Sequence, residues 1–202
     1  MTHVENIHHI LEIGITHQTS VNSNKAYVSI GYHSLISKRE SFVLPNGKRL
    51  GNYIPFYFGP RMPMLYVIML GANSIKYNIK PVLSEDIVYC ITSVEQILNH
   101  GLRFIFSDGH AVSELTDFFN ETRISDIDNL IDKTAINAVY WMDENDLDLK
   151  RRKETEFLIE DDIPVDAILG FAVYNEAAKQ KLINCGITEN KIAVKPAYYF
   201  NL

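Results

Sequence analysis

The stretch that organises this chain is Lys150-Arg151-Arg152-Lys153-Glu154-Thr155-Glu156-Phe157-Leu158-Ile159, in which four cations run into a predicted strand. Successive side chains of a strand point to opposite faces, so Glu156 shares a face with Arg152 and Glu154. A charged strand of this kind is usually a solvated surface. A second unusual stretch favours a functional role for Glu156 over a place on such a surface.

The second stretch is Asn52-Tyr53-Ile54-Pro55-Phe56-Tyr57-Phe58-Gly59-Pro60-Arg61-Met62-Pro63-Met64-Leu65-Tyr66, an aromatic segment that carries one arginine. Residues Tyr53 to Phe58 alternate as a strand, and Pro55 confines that strand to a sheet edge or a bulge because proline has no N–H to donate. Arg61 follows in a turn with a proline on each side, which gives a side chain a fixed direction without regular secondary structure. Arg61 is therefore a candidate functional residue.

Length and composition predict an ordinary globular protein. The chain of 202 residues is long enough for one full core and has no linker-like stretch, so we expect a single domain over residues 1–202. We find no secretion signal, and the longest apolar run, Met64 to Gly71, is far shorter than a membrane span. Cys90 and Cys185 stand apart, which fits a reducing cytoplasm and argues against a cysteine zinc site. We therefore expect a cytoplasmic protein without membrane contact or metal.

The charge distribution limits where a nucleic acid could bind. A net charge of −6 argues against binding over the whole surface. The cations form separate spots at Lys48-Arg49, at Arg61 and at Lys150 to Lys153, whereas acids concentrate from Asp126 to Asp148. Any nucleic-acid binding is therefore expected to be local.

The order of predicted elements favours an α+β fold. A helix is predicted from a Thr2 cap to Gly14, with Glu5 as the capping-box acid. The other predicted elements are a helix or buried strand at Met64 to Leu70, strands at Ile87 to Thr92, Phe104 to Ser107 and Lys191 to Ala197, and helices at Ser93 to Leu98, Glu114 to Phe119 and Asn175 to Asn184. Short strands and helices without regular strand–helix alternation are typical of α+β proteins. Neither the dinucleotide fingerprint G-x-G-x-x-G nor the P-loop is present, so a nucleotide would be held by other means.

Several segments in the same order along the chain resemble the DarT family of bacterial toxins, which ADP-ribosylate bases in DNA. The resemblance rests on Thr2-His3-Val4-Glu5-Asn6-Ile7, Leu44-Pro45-Asn46-Gly47, the run Tyr53 to Leu65, Ser107-Asp108-Gly109-His110-Ala111, and Arg151-Arg152 with Glu156-Phe157-Leu158. It implies an ADP-ribosyltransferase-like fold with a mixed or antiparallel split sheet and short helices. It also implies NAD as donor, single-stranded DNA as acceptor and a macrodomain antitoxin of the DarG type. The Pro-Asn-Gly and aromatic-arginine segments look more like the thymidine-modifying branch than the guanosine-modifying one.

The resemblance also implies roles for five residues. His3 and Asn6 would hold NAD, His110 would be a site histidine in contact with the cofactor, and Glu156 would be the catalytic acid. Arg61 would be the functional arginine, in catalysis and in NAD binding. Met62 departs from the family pattern, which leads us to expect a small hydroxyl residue there.

The chemistry of the two best candidates agrees with these roles. Breaking the nicotinamide bond of NAD develops positive charge on the ribose, which a fixed carboxylate such as Glu156 stabilises. An arginine can clamp a pyrophosphate with two hydrogen bonds, whereas the resemblance suggests that Arg61 assists the loss of the thymine N3 proton. The clamp is the physically easier role, because arginine is always protonated.

Contacts to single-stranded DNA are predicted from cations and one aromatic ring. The candidates are Lys48, Arg49, Tyr57, Arg151 and Arg152. Two other classes of function stay open at this point: an ADP-ribosyltransferase that acts on RNA or protein, and a non-catalytic nucleotide-binding or nucleic-acid-binding module.

Overall fold

The computed structural model describes residues 1–71 and 82–201. Within these ranges the strands are β1 (Thr2–His3), β2 (Ile54–Tyr57), β3 (Ile87–Ile91), β4 (Phe104–Ser107), β5 (Phe118–Asn120), β6 (Glu156–Ile159), β7 (Gly170–Val173) and β8 (Ile192–Val194). The α-helices are α1 (Ile7–Ile13), α2 (His33–Ser41), α3 (Pro63–Leu70), α4 (Val94–Asn99), α5 (Ile127–Leu130), α6 (Lys133–Asn137), α7 (Leu149–Lys153) and α8 (Glu176–Asn184).

The chain divides into two compact units. The first contains Met1–Tyr32, Leu65–Leu102 and Asp162–Leu202, and the second contains His33–Met64 and Arg103–Asp161. This division does not test the prediction of a single domain over residues 1–202, which stays a prediction. In the described ranges no helix is long and apolar enough to cross a membrane.

The sheet of the first unit has the strand order β1-β3-β7-β8. The β1–β3 and β3–β7 pairs are antiparallel, and the β7–β8 pair is parallel. A parallel pair needs a crossover connection, which α8 supplies. Asn175 caps α8 by accepting the N–H of Ala178, and Ala178 and Leu182 bury the inner side of the helix. The predicted helix at Asn175 to Asn184 is therefore confirmed.

The start of the chain differs from the predicted helix. Thr2 belongs to β1, where it pairs with Val88, so the cap moves to His3, whose Nδ1 accepts the N–H of Glu5. One 3-10 turn over Val4–Asn6 then leads into α1. Gly14 ends this helix as predicted, with a φ of 103° that favours glycine.

The second unit is built on an antiparallel sheet with the order β2-β6-β4-β5. Both central strands, β6 and β4, are buried along their whole length. On one face Phe157 stacks on Phe104 at 4.6 Å between ring centroids, while Leu158 packs on the other face with Ile105 and Leu50. Strand β2 lies at the edge of the sheet, which confirms the prediction from Pro55.

Two predictions about this unit are wrong. The cations of Lys150 to Lys153 lie on helix α7, and the strand begins only at Glu156. Straight-chain cations are good helix formers, and the N–H of Glu154 bonds back to the carbonyl of Arg151. The helix predicted at Glu114 to Phe119 is instead a loop that leads into β5, because pairing with β4 decides the conformation of Phe118 and Phe119.

Candidate active site

Glu156 is the first residue of the central strand β6, and its side chain is completely buried, with 0% exposure. Its Oε2 accepts a hydrogen bond of 2.7 Å from Nη1 of Arg39, and its Oε1 accepts one of 3.1 Å from the backbone N–H of Ala111. Nδ1 of His110 lies 3.4 Å from Oε1. A buried carboxylate requires such partners, because removing an unpaired charge from water is very costly.

These partners decide the charge of the site. Burial favours the neutral acid, but Arg39, His110 and the Ala111 N–H together hold the pKa of the Glu156 carboxyl below its usual value. Glu156 is therefore an anion at neutral pH, although it is enclosed. Glu154, also buried, differs: burial raises its pKa, and this outweighs the attraction of His110 and Lys150. Two neighbouring acids thus have pKa values shifted in opposite directions, as is typical of catalytic sites.

The loop after β4 supplies two of the three partners of Glu156. The hydroxyl of Ser107 accepts the N–H of Glu156 at 3.0 Å and donates to the carbonyl of Gly109 at 2.6 Å. This link fixes the start of β6 to the turn that carries His110 and Ala111. The turn predicted at Asp108-Gly109 is therefore the element that completes the carboxylate site.

Arg61 lies in a strained turn. Its φ is 56°, in the left-handed region that residues other than glycine rarely adopt. The turn is held by packing, since Met62 is 1% exposed and a Cβ placed on Gly59 would lie 3.1 Å from the side chain of Ile136. Burial and the nearby Arg61 lower the pKa of Lys153, which donates to the carbonyl of Ile136. Met62, unexpected from the family pattern, thus serves as a core residue.

His3 and Asn6 lie in the first unit. Nδ1 of His3 accepts the N–H of Glu5, as the cap described above. Asn6 is buried, and its amide nitrogen donates to Thr2 Oγ1 at 2.9 Å and to the carbonyl of Val28 at 2.8 Å, while its oxygen accepts the N–H of Val28 at 2.8 Å. Asn6 therefore fixes the segment around Val28 to the first helix. Both residues stay predictions as NAD ligands.

The predicted DNA contacts differ in how freely they face solvent. Arg151 pairs with Asp148 at 2.7 Å and with Asp108 at 2.8 Å, and Arg152 pairs with Asp132, Asp146 and Asp148. Lys48 pairs with Glu160 at 2.6 Å, while Arg49 is exposed and forms no salt bridge with the described residues. Tyr57 is half-buried opposite Glu156 in the β2–β6 pair, and burial together with Glu156 raises its pKa well above the usual value. The DNA roles of all five residues stay predictions.

Arg39 is a site residue that the sequence does not predict. The segment from residue 21 to 51 showed no clear pattern, and α2, which carries Arg39, has no buried residue and hence no apolar stripe. Arg39 lies 117 residues before Glu156, and no motif or spacing within this one sequence links the two.

The chain matches, over residues 1–200, the family described as "ssDNA thymidine ADP-ribosyltransferase, DarT". The chain belongs to the DarT family. A DNA ADP-ribosyl transferase of Thermus sp. 2.9 is 32% identical over 187 residues, which are 91% of this chain and 83% of the relative. A Thermosipho africanus DNA ADP-ribosyl transferase–DNA ADP-ribosyl glycohydrolase fusion protein is 29% identical over 150 residues, 72% of this chain and 34% of the fusion.

Solved DarT structures have the same fold. The Thermus sp. 2.9 DarT in complex with ADP-ribosylated ssDNA aligns with a TM-score of 0.79 at 28% identity, covering 98% of this chain and 93% of that one. The same Thermus DarT in complex with NAD+ aligns with a TM-score of 0.76 at 28% identity, covering 98% and 94%. The predicted family, the α+β ADP-ribosyltransferase-like fold and the class of enzyme are thereby confirmed.

Proposed function

We propose that this chain transfers ADP-ribose from NAD+ to a thymidine base of single-stranded DNA, with Glu156 as the catalytic carboxylate. The observation that carries the proposal is the buried, ionised Glu156 carboxylate with Arg39, His110 and the Ala111 N–H fixed around it. Membership of the DarT family supports the donor and the acceptor.

The reaction breaks the bond between the ribose and nicotinamide and forms a bond between the ribose and a nitrogen of the base. Nicotinamide leaves with the electron pair of the broken bond, and the base nitrogen releases its proton to solvent water. Positive charge develops on the ribose between these events, and a preorganised anion stabilises it without reorganising at the moment of reaction. Glu156 supplies that anion, and its remaining lone pairs can accept a ribose hydroxyl.

Two arginines have separate roles in this proposal. Arg39 holds the Glu156 carboxylate ionised and oriented. Arg61, directed by its strained turn, binds the pyrophosphate of NAD+, which suits the planar guanidinium. His3 and Asn6, in the segment before α1, are further NAD+ ligands, so His3→Ala and Asn6→Ala should weaken NAD+ binding in calorimetry. Unchanged affinity in both variants would remove this segment from the donor site.

Access to Glu156 requires a side-chain movement. The carboxylate has no exposed surface, whereas the side chains of Arg39 and His110 beside it are 14% and 19% exposed. A ribose hydroxyl therefore reaches Glu156 only after the Arg39 side chain shifts, while His110 is held in its turn by the hydrogen bonds of its backbone.

The test uses labelled NAD+ with separate single-stranded DNA, RNA and protein acceptors. We expect label on thymidine-containing DNA alone, and label on RNA or protein instead would favour the other transferase class. Glu156→Gln should reduce transfer by roughly a hundredfold or more, as loss of one preorganised electrostatic group does, while NAD+ and DNA affinities stay within several-fold. Glu154→Gln is the control and should cost much less, because burial already favours the neutral form of that acid.

We also propose the biological setting that the family implies. The enzyme acts as a toxin in the cytoplasm, and a macrodomain of the DarG type removes the mark. The Thermosipho africanus fusion, which joins the transferase to a glycohydrolase in one chain, supports this pairing. Lys48, Arg49, Tyr57, Arg151 and Arg152 are proposed DNA contacts, and the exposed Arg49 is the best placed of them for a phosphate.

A further inference from the structure

Arg151 contacts the turn after β4 with both its side chain and its backbone. Its guanidinium donates from Nη1 to Asp108 at 2.8 Å and to the hydroxyl of Thr116 at 3.4 Å. Its carbonyl accepts the N–H of His110 at 2.9 Å. Thr116 in turn donates to the carbonyl of His110 at 2.8 Å, so Arg151 holds His110 from two sides.

Helix α7 holds Arg151 itself. Asp148 on the same helix turn receives two hydrogen bonds, from Nε at 2.7 Å and from Nη2 at 2.8 Å. Such a two-point pair fixes the plane of the guanidinium. The side chain is 14% exposed, so little of it faces solvent.

Gly109 shows how closely Arg151 packs on the turn. A Cβ on Gly109 would lie 2.4 Å from Nη1, 2.9 Å from Cγ and 3.0 Å from the carbonyl oxygen of Arg151. The backbone of Gly109 is not in the left-handed region, so this close approach is what requires glycine. The next two residues, His110 and Ala111, are the ones that contact Glu156.

We infer that Arg151 is a positioning residue of the transfer reaction, which clamps the turn Asp108-Gly109-His110-Ala111 so that His110 and the Ala111 N–H stay on the Glu156 carboxylate. This inference rests on the proposed function of Glu156. It gives Arg151 a different role from the phosphate contact predicted from the sequence, and the two roles have different consequences for DNA binding.

Arg151→Lys separates the two roles. Lysine keeps the charge but loses the planar fork, so a phosphate contact would survive and the clamp would not. We expect transfer at saturating substrates to fall roughly tenfold to a hundredfold, as when catalytic groups are displaced by about 1 Å, with unchanged DNA affinity and salt dependence. Arg123→Lys is the control, since Arg123 also pairs with an aspartate three residues away but lies outside the site, and it should transfer normally. Normal transfer by Arg151→Lys, or a loss confined to DNA affinity, would overturn the inference.

The pH profile of transfer is a second readout. The charged and titratable groups that face Glu156 are Arg39 from α2, His110 from the turn, Tyr57 from β2, and Glu154. When the clamp is lost, His110 and the Ala111 N–H no longer favour the ionised carboxylate. The acidic limb of the profile should then move to higher pH in Arg151→Lys, whereas an unmoved limb would contradict the clamp.

Gly109→Ala and Arg151→Ala, alone and together, form a double-mutant cycle. Each single change should reduce transfer, and the double variant should lose less than the sum of the two single losses, because Arg151→Ala removes both side-chain contacts of the added methyl group and leaves only the one to the backbone carbonyl oxygen. Additive losses would mean that the two residues act independently and would overturn the inference.

Amide hydrogen exchange at Ala111 decides the question without catalysis. Its N–H should be protected in the wild-type chain and in Arg123→Lys, and should exchange faster in Arg151→Ala. Equal protection in all three proteins would refute the clamp. Absence of transfer by the wild-type protein would instead count against the proposed function and would leave this exchange comparison intact.

Discussion

Arg39 neutralises a carboxylate that has no contact with water, and its loss should therefore be costly. Arg39→Met leaves Glu156 buried without its arginine, with only His110 and the Ala111 N–H beside it, which should lower the free energy of unfolding by roughly 3 to 5 kcal/mol, measured by urea denaturation. Lys133→Met breaks the exposed pair with Asp128 and should cost only about 0 to 1 kcal/mol. Similar losses in both variants would show that Glu156 is not enclosed as described.

Glu154 should make stability depend on pH in the direction opposite to Glu156. Because its pKa is raised on folding, the folded state keeps a proton that the unfolded state loses, so stability falls as the pH rises above the ordinary glutamate value. Glu154→Gln removes this loss. The difference in melting temperature, variant minus wild type, should therefore increase as the pH rises from about 4, near the ordinary glutamate pKa, to about 7.

For Glu156 the dependence of stability on pH has the opposite sign. Its lowered pKa gives a stabilising contribution that is complete above the ordinary glutamate value and is lost as the pH falls through the folded-state pKa. A melting-temperature difference for Glu154→Gln that is constant with pH would contradict the opposite shifts of these two acids.

At the scale of elements, the end of α1 depends on one glycine. A Cβ on Gly14 would lie 2.0 Å from the carbonyl oxygen of Ile163, and its φ of 103° is unfavourable for other residues. Gly14→Ala should therefore lower the free energy of unfolding by on the order of 2 to 4 kcal/mol. Gly101→Ala is the matched control, with positive φ but open space around it, and should cost about 1 kcal/mol. Denaturation of both variants measures the two losses of stability. Both glycines have a positive φ, so the larger loss for Gly14→Ala measures the clash with Ile163.

Elements with an apolar pattern could be predicted from the sequence, and those without one could not. Strands β3 and β4 are short apolar runs and helix α8 buries Ala178 and Leu182 four residues apart, and these patterns predict all three elements near their observed positions. Helix α2 buries none of its residues, so periodicity gave no signal for it, and Arg39 was missed together with the helix.

The candidate site shows the same limit. Family motifs indicate Glu156, Arg61 and His110, whereas the contact of the Ala111 N–H with Glu156 and the hydrogen bonds of the Ser107 hydroxyl depend on how the chain folds around them, which residue types alone do not give. An alternating pattern continues from β6 into the cations of α7 and predicts a strand there, and only the folded chain shows the helix and its ion pairs.

At the scale of the whole molecule, a net charge of −6 limits the number of phosphates that can be contacted. Most cations of the predicted DNA surface are already paired with acids, so the affinity for single-stranded DNA should depend only modestly on salt. Arg49→Ala should reduce the slope of log affinity against log salt by about 0.7, the value for one phosphate of a single strand. A titration at several salt concentrations measures the slope, and an unchanged value would place the DNA away from Arg49.

The central position of β6 has a consequence for the time at which activity arises. Among the strands of its sheet, β6 is the last to be synthesised, yet it lies between β2 and β4, and Glu156 meets a partner made 117 residues earlier. At ribosomal rates of about 5 to 20 residues per second, roughly six to twenty-three seconds pass between the synthesis of Arg39 and that of Glu156, 117 residues later. A nascent chain or a fragment that stops before β6 therefore lacks the residue that we propose as the catalytic carboxylate, so transfer can begin only after the last strand of this sheet has been made.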